Sequence, residues 1–135
     1  MTISSFDDLL QAARTQPEPQ RLLFVFAGIE LPDDATPAQR ERFKAGQGGA
    51  LVPLMCLDKR PDELASFAML VEESNQFGHN AWGIVFAAAM SGTADRAPTS
   101  EEAEEPLQRM VEAIKRGAHG AYIAFDTLGH TVQIG

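Results

Sequence analysis

The stretch that decides the fold is ALVPLMCLDKRPDELASFAMLVEESNQFGHNAWGIVFAAAM, Ala50 to Met90, which reads as strand, helix, strand. Its second strand, Trp82-Gly-Ile-Val-Phe-Ala-Ala-Ala-Met90, is an unbroken apolar run without the polar alternation of a half-exposed strand, so it is expected to be covered on both faces. The first, Ala50-Leu-Val-Pro-Leu-Met-Cys-Leu57, is equally apolar but carries Pro53. Proline has no amide hydrogen for a ladder, which points to an edge, a bulge or a strand start. Between the strands, Pro61 presets a first helical turn, with Asp62 and Glu63 at the positive end of the dipole. Leu64, Phe67, Ala68, Leu70 and Val71 recur at helical spacing, Glu72 and Glu73 are left for water, and Gly78 supplies the stop.

Upstream, Ser5 and Asp8 form a helix-start pattern, and Phe6, Leu9, Leu10 and Ala13 keep one apolar face to about residue 15. Pro17 and Pro19 end that helix and lead into Arg21-Leu-Leu-Phe-Val-Phe-Ala27, a further buried strand. The connection from Gly28 to Gly49 has a helix start at Thr36-Pro37-Ala-Gln39 but little beyond Ala38 and Phe43 to bury, so it is expected to be the most mobile internal segment. A crossover between parallel strands normally lays an apolar stripe on the sheet; this weak one leaves open an antiparallel pairing of the first two strands. Downstream, Thr99 and Glu102 make a capping-box pattern, Leu107, Met110, Val111 and Ile114 a buried stripe, and Gly117 a cap, with Pro106 inside the helix. Ala121 to Ile134, with Asp126-Thr-Leu-Gly129 at its middle, reads as a hairpin.

The expected fold is therefore one α/β domain over residues 1–135. Its sheet is expected to be mixed and mainly parallel, of about five strands near 21–27, 50–57, 82–90, 120–126 and 130–134, with helices as its cover.

A formal net charge of −8 repels phosphate backbones and anionic lipid, and the cations are scattered without interleaved aromatics. Neither a nucleic acid nor a membrane is expected as partner. The opening Met-Thr-Ile-Ser-Ser-Phe-Asp-Asp has no basic region ahead of an apolar segment, so the expected location is the cytoplasm.

The one cysteine, Cys56, excludes an internal disulfide and reads as an inert core thiol. His79, His119 and His130 lack the paired spacing of a metal site, and no nucleophile, base and acid set is recognisable. The chain therefore offers no catalytic residue, metal or cofactor motif. Gly46-Gln-Gly-Gly49 precedes a strand, whereas phosphate cradles follow one and open a helix. Ser91, Gly92, Thr93 and Arg96 lie between a strand end and a helix, where open α/β sheets bind ligands, with Asp58 and Lys59 at another strand end. Glu101, Glu102, Glu104 and Glu105 oppose an anion there. Arg40, Arg42 and Lys44 gather positive charge on an acidic chain, which suits an acidic protein partner or a small anion.

Ile3-Ser-Ser-Phe-Asp-Asp-Leu-Leu-Gln-Ala-Ala13, Arg21-Leu-Leu-Phe-Val-Phe-Ala-Gly28 and Gly48-Gly-Ala-Leu-Val-Pro-Leu-Met-Cys56 resemble a family of short bacterial proteins of uncharacterised activity, often labelled ribonucleotide reductase subunit alpha. The resemblance runs the length of the chain and implies no catalytic residues. That enzyme's large subunit is a far longer barrel using several cysteines, against the one here, so what the label implies is at most an accessory role. The absence of a coherent catalytic set in a small acidic domain favours a non-catalytic binding or regulatory module, with a ligand-binding protein or enzyme built on the loops near 58–60 and 91–99 as the alternative.

Overall fold

Six consecutive side chains, Leu22 to Ala27, are each no more than 2% exposed, which requires cover on both faces of the strand that carries them. That strand is β1 (Gln20–Glu30), one of the two inner members of a four-stranded sheet. The computed structural model describes residues 3–30, 34–44, 50–76, 82–93 and 95–133. In chain order these form α1 (Phe6–Arg14), β1, α2 (Pro37–Lys44), β2 (Ala50–Lys59), a 3-10 turn Pro61–Glu63, α3 (Phe67–Gln76), β3 (Ile84–Ser91), α4 (Ser100–Lys115) and β4 (Ile123–Phe125).

The sheet order is β2-β1-β3-β4 and every pairing is antiparallel. The expected mainly parallel sheet of five strands is thereby corrected. Unbroken apolar strands report helices on both faces, and here both faces are covered although no two paired strands are parallel. The antiparallel pairing of β1 with β2 fits an α2 without an apolar stripe, since a connection that lies on no sheet face needs none. The segment expected as a fifth strand contributes isolated bridges, Phe125 to Thr131 and Ser5 to His130, and Ile134 is outside the described residues. Gly46, Gly48 and Gly49 are outside them as well, as is the expected helix stop Gly78.

Alternation along β1 sorts the core into two layers. Leu22, Phe24 and Phe26 meet Phe6, Leu9 and Leu10 of α1, Leu70 of α3, and Val85, Trp82 and Phe125. Phe6 is the hub of that layer, with ring centroids 5.6 Å from Phe24, 5.1 Å from Phe67 and 5.4 Å from Phe125. Leu23, Val25 and Ala27 face the other way, against Ala103, Leu107, Met110 and Ile114 of α4, together with Phe86 and Ala124. The polar atoms of the first layer are satisfied locally, as Trp82 Nε1 donates to Ser74 Oγ (3.1 Å), which donates to the Val71 carbonyl (2.6 Å).

The helix ends follow their local chemistry. Ser5 and Asp8 close a capping box on α1, and Thr99 and Glu102 close one on α4. Both carboxyls are held below the ordinary carboxylate range, first by the backbone amides of Ser4 and Thr99 respectively. α4 ends in a Schellman motif: Gly117, at φ +75°, donates to the Ile114 carbonyl (3.1 Å), and Ala118 to that of Ala113 (2.8 Å). α3 starts later than Pro61 suggests. Pro61–Glu63 is closed off by the Arg60 amide donating to Glu63 (2.8 Å), and the helix begins only after Ser66, whose hydroxyl accepts from the Met69 amide (3.4 Å). The ends of the described chain are clasped, with the Phe6 amide donating to the Gly129 carbonyl (2.8 Å) and the Thr131 amide to that of Ser4 (3.1 Å).

Phe86 is fully buried in the α4 layer, so Phe86→Ala is expected to cost about 3–5 kcal/mol in urea unfolding, from lost transfer energy and the cavity left behind. Because Asp8 and Glu102 have lowered folded values, their contribution is complete above the ordinary carboxylate range and is lost as the pH falls through those values. Asp8→Ala and Glu102→Ala are therefore expected to lower stability at neutral pH while flattening the acid limb of a stability–pH curve.

Candidate functional site

β2 and β3 both run opposite to β1, so their ends flank its start, with Lys59 across from Leu22 and Ser91 across from Gln20. The loops near 58–60 and 91–99 consequently share one end of the sheet. α2, carrying Arg40, Arg42 and Lys44, lies in the connection between the opposite ends of β1 and β2. The two sets of charged residues marked out by the sequence are thus at opposite ends of the sheet.

At the first end most of the marked side chains are engaged within the fold. Asp58 Oδ2 accepts from Arg21 Nη1 (2.6 Å) and from Ser100 Oγ (2.6 Å), while Arg21 Nε donates to the Pro98 carbonyl (2.6 Å). This clamp fixes the first turn of α4 against β2 and β1. Its charged side chains are only 13% and 17% exposed, so both ions are largely withdrawn from water and depend on each other. Lys59 turns to the opposite face and pairs with Glu73 (2.6 Å). Ser91 Oγ accepts from Gln20 Nε2 (2.9 Å). Thr93 and Arg96 bridge each other through their backbones, and Arg96 pairs with Glu102 (3.3 Å). Gly92 donates to the Pro19 carbonyl (2.8 Å), and a Cβ there would collide with the Arg96 carbonyl oxygen.

Beside this network is an open cleft of about 320 Å³, lined by residues that include Arg14, Glu18, Gln20, Arg60, Asp62 and Ala97. Gln20 is 6% exposed and spends its amide hydrogens on the Glu18 carbonyl (3.1 Å) and on Ser91, which leaves Oε1 as its acceptor. Arg14 Nη2 is held by the Leu64 carbonyl (2.5 Å), and Arg60 sits between Asp62 (3.5 Å) and Glu63 (3.4 Å). The sequence reading missed Arg14 and Gln20. The available signal was Gln20, a polar residue directly ahead of a buried run.

β2 is the outer strand on its side of the sheet. A register shift between Phe26 and Ala27 leaves Leu54 as the extra residue, a bulge next to Pro53. Cys56 is exposed, which corrects its expected place in the core. Its thiol is pushed up, first by partial burial and then by the charge of Asp58, so exposure does not make it a ready thiolate. Among the described residues no group of three or more His, Cys, Asp or Glu side chains could hold a metal, and no helix is long and apolar enough to cross a membrane.

Asp58→Ala strands Arg21 and frees Ser100, and is expected to cost about 2–3 kcal/mol, against about 1 kcal/mol for Ser100→Ala, both read from denaturant midpoints. Alkylation of Cys56 in the native protein is expected to be slower at neutral pH than that of an unstructured cysteine peptide, with its rate still climbing at pH values where the peptide has levelled off. No protein-family model, curated protein or solved structure matches this chain.

Proposed function

We propose that the chain is a non-catalytic binding module whose contact surface is the outer edge of β2. The observation that carries this reading is the strand itself, 10 residues paired to β1 on one side and to no strand among the described residues on the other. From Leu51 to Leu57 its side chains are apolar and half-buried, with Cys56 exposed. An open edge offers unpaired N–H and C=O groups to any extended chain, and natural proteins usually blunt such edges with charge. On β2 the charges are confined to Asp58 and Lys59, both engaged by other side chains of the fold. Main-chain pairing along such an edge supplies affinity, and alternate side chains supply selectivity.

A second reading is a small-anion site in the cleft, favoured by the two guanidinium groups of Arg14 and Arg60 on its wall. It draws on both strand-end loops, through Arg60 and Ala97. The two readings separate experimentally. Leu54→Lys combined with Cys56→Lys places a charge on each face of the edge strand. A protein bound stoichiometrically by the parent chain is expected to be lost from this variant while the fold, followed by circular dichroism, persists. Equal recovery by both chains overturns the edge reading. A thermal shift with small carboxylates or phosphates that is abolished by Arg60→Ala and kept in the lysine variant would establish the cleft instead.

A further inference from the structure

Resting on the second reading, of the cleft as a small-ligand site, we propose that its ligand is a zwitterion. The class is an apolar α-amino acid, its ammonium at Gln20 and Glu18 and its carboxylate at Arg14. The first support is an atom left over on a buried amide. Gln20 lines the cleft and is only 6% exposed. The Glu18 carbonyl can only accept, so it must be the amide nitrogen of Gln20 that faces it (3.1 Å), with Ser91 Oγ taking the other hydrogen (2.9 Å). Oε1 has no partner within the fold, yet among the described residues no buried side-chain oxygen is left unsatisfied. Solvent therefore reaches Oε1, and the cleft is where Gln20 meets solvent. A carboxylate alone carries only lone pairs and would set them against this oxygen, so the bound molecule needs a donor here.

The second support is the balance of charge on the lining. Arg14, Arg60, Glu18 and Asp62 are its charged side chains, two of each sign, so a simple anion finds no net attraction. Arg60 and Asp62 pair with each other (3.5 Å), and Glu63 stands against the same guanidinium (3.4 Å). Arg14 and Glu18, by contrast, enter no ion pair among the described residues. The Arg14 guanidinium is tied through Nη2 to the uncharged carbonyls of Leu64 (2.5 Å) and Pro61 (3.4 Å), which joins it to the wall built by the 3-10 turn. Glu18 stands at the start of β1, where its carbonyl holds the Gln20 amide. A cation and an anion on one cleft, each without a counter-ion, complement a molecule that carries both charges. Much of the remaining lining is Ala13, Pro19, Pro61 and Ala97, which suits a hydrocarbon side chain. A volume of about 320 Å³ lies at the small end of ligand pockets and fits one small molecule rather than a peptide.

The test is calorimetric titration of the full chain with three probes of one skeleton: L-leucine, isocaproate, which lacks the ammonium, and isoamylamine, which lacks the carboxylate. Leucine is expected to bind about tenfold or more tighter than either, because each end meets a group that its truncated analogue leaves unpaired. Glu18→Gln, at an exposed position, is expected to keep the fold and to shrink the advantage of leucine over isocaproate by about threefold or more. Gln20→Leu is expected to remove that advantage. It also gives up the bonds to Glu18 and Ser91, so Glu18→Gln decides if Gln20→Leu does not fold. Equal binding of leucine and isocaproate overturns the zwitterion and leaves the small-anion site standing. Binding of neither, or of isoamylamine as tightly as leucine, overturns both. An advantage unchanged in Glu18→Gln puts the ammonium elsewhere and overturns the proposal.

Discussion

Everything in this fold depends on β1 being buried on both sides at once. A strand with buried apolar residues at every position from Leu22 to Ala27 needs its amides paired along both edges and its side chains covered on both faces. β2 and β3 supply the ladders, α1 and α3 one cover, and α4 the other. The antiparallel arrangement follows economically, because β1 can be flanked by two strands of one direction if a single helix-bearing connection crosses it. The Arg21–Asp58–Ser100 clamp then settles how α4 lies, since it fixes the helix start over the β1–β2 side of the sheet. That bracing is relevant to binding: an edge strand tied to its own core layer at one end presents a preorganised backbone and loses less entropy when a chain pairs with it.

Much of the fold was legible because it is locally encoded. Ser5 with Asp8 and Thr99 with Glu102 carry their helix starts in the spacing of the caps, and Leu107, Met110 and Ile114 carry the buried face of α4. Strand direction was not legible, since an unbroken apolar run such as Ile84 to Ala87 reports cover on two faces and is indifferent to the direction of its neighbours. Pro53 correctly pointed to an edge or a bulge, and the structure has both, yet the apolar residues around it argued for burial. Cys56 was misjudged for that same reason.

The candidate site was legible only as an address. The position of Asp58, Lys59 and Ser91 at strand ends could be read, but whether those side chains remain available could not, because their partners Arg21, Glu73 and Gln20 are far away in sequence and are brought in by pairing register. The significance of β2 is likewise a property of sheet order, fixed only by knowing which strand has a neighbour on one side alone.

The clasp between Ser4–Phe6 and Gly129–Thr131 has a consequence for how the chain is made. Phe6 leaves a ribosome well ahead of Phe125, the ring it packs against. Until that late segment emerges, the aromatic hub is incomplete, and the apolar face of α1 has no final partner to hold it. At elongation rates of about 5–20 residues per second, that leaves several seconds during which Phe6, Leu9 and Leu10 lack their full cover. The long sequence separation also places a high-entropy closure late in assembly. Nascent chains should therefore be clients for holding chaperones from the emergence of α1 until that of the turn at Asp126 to Gly129.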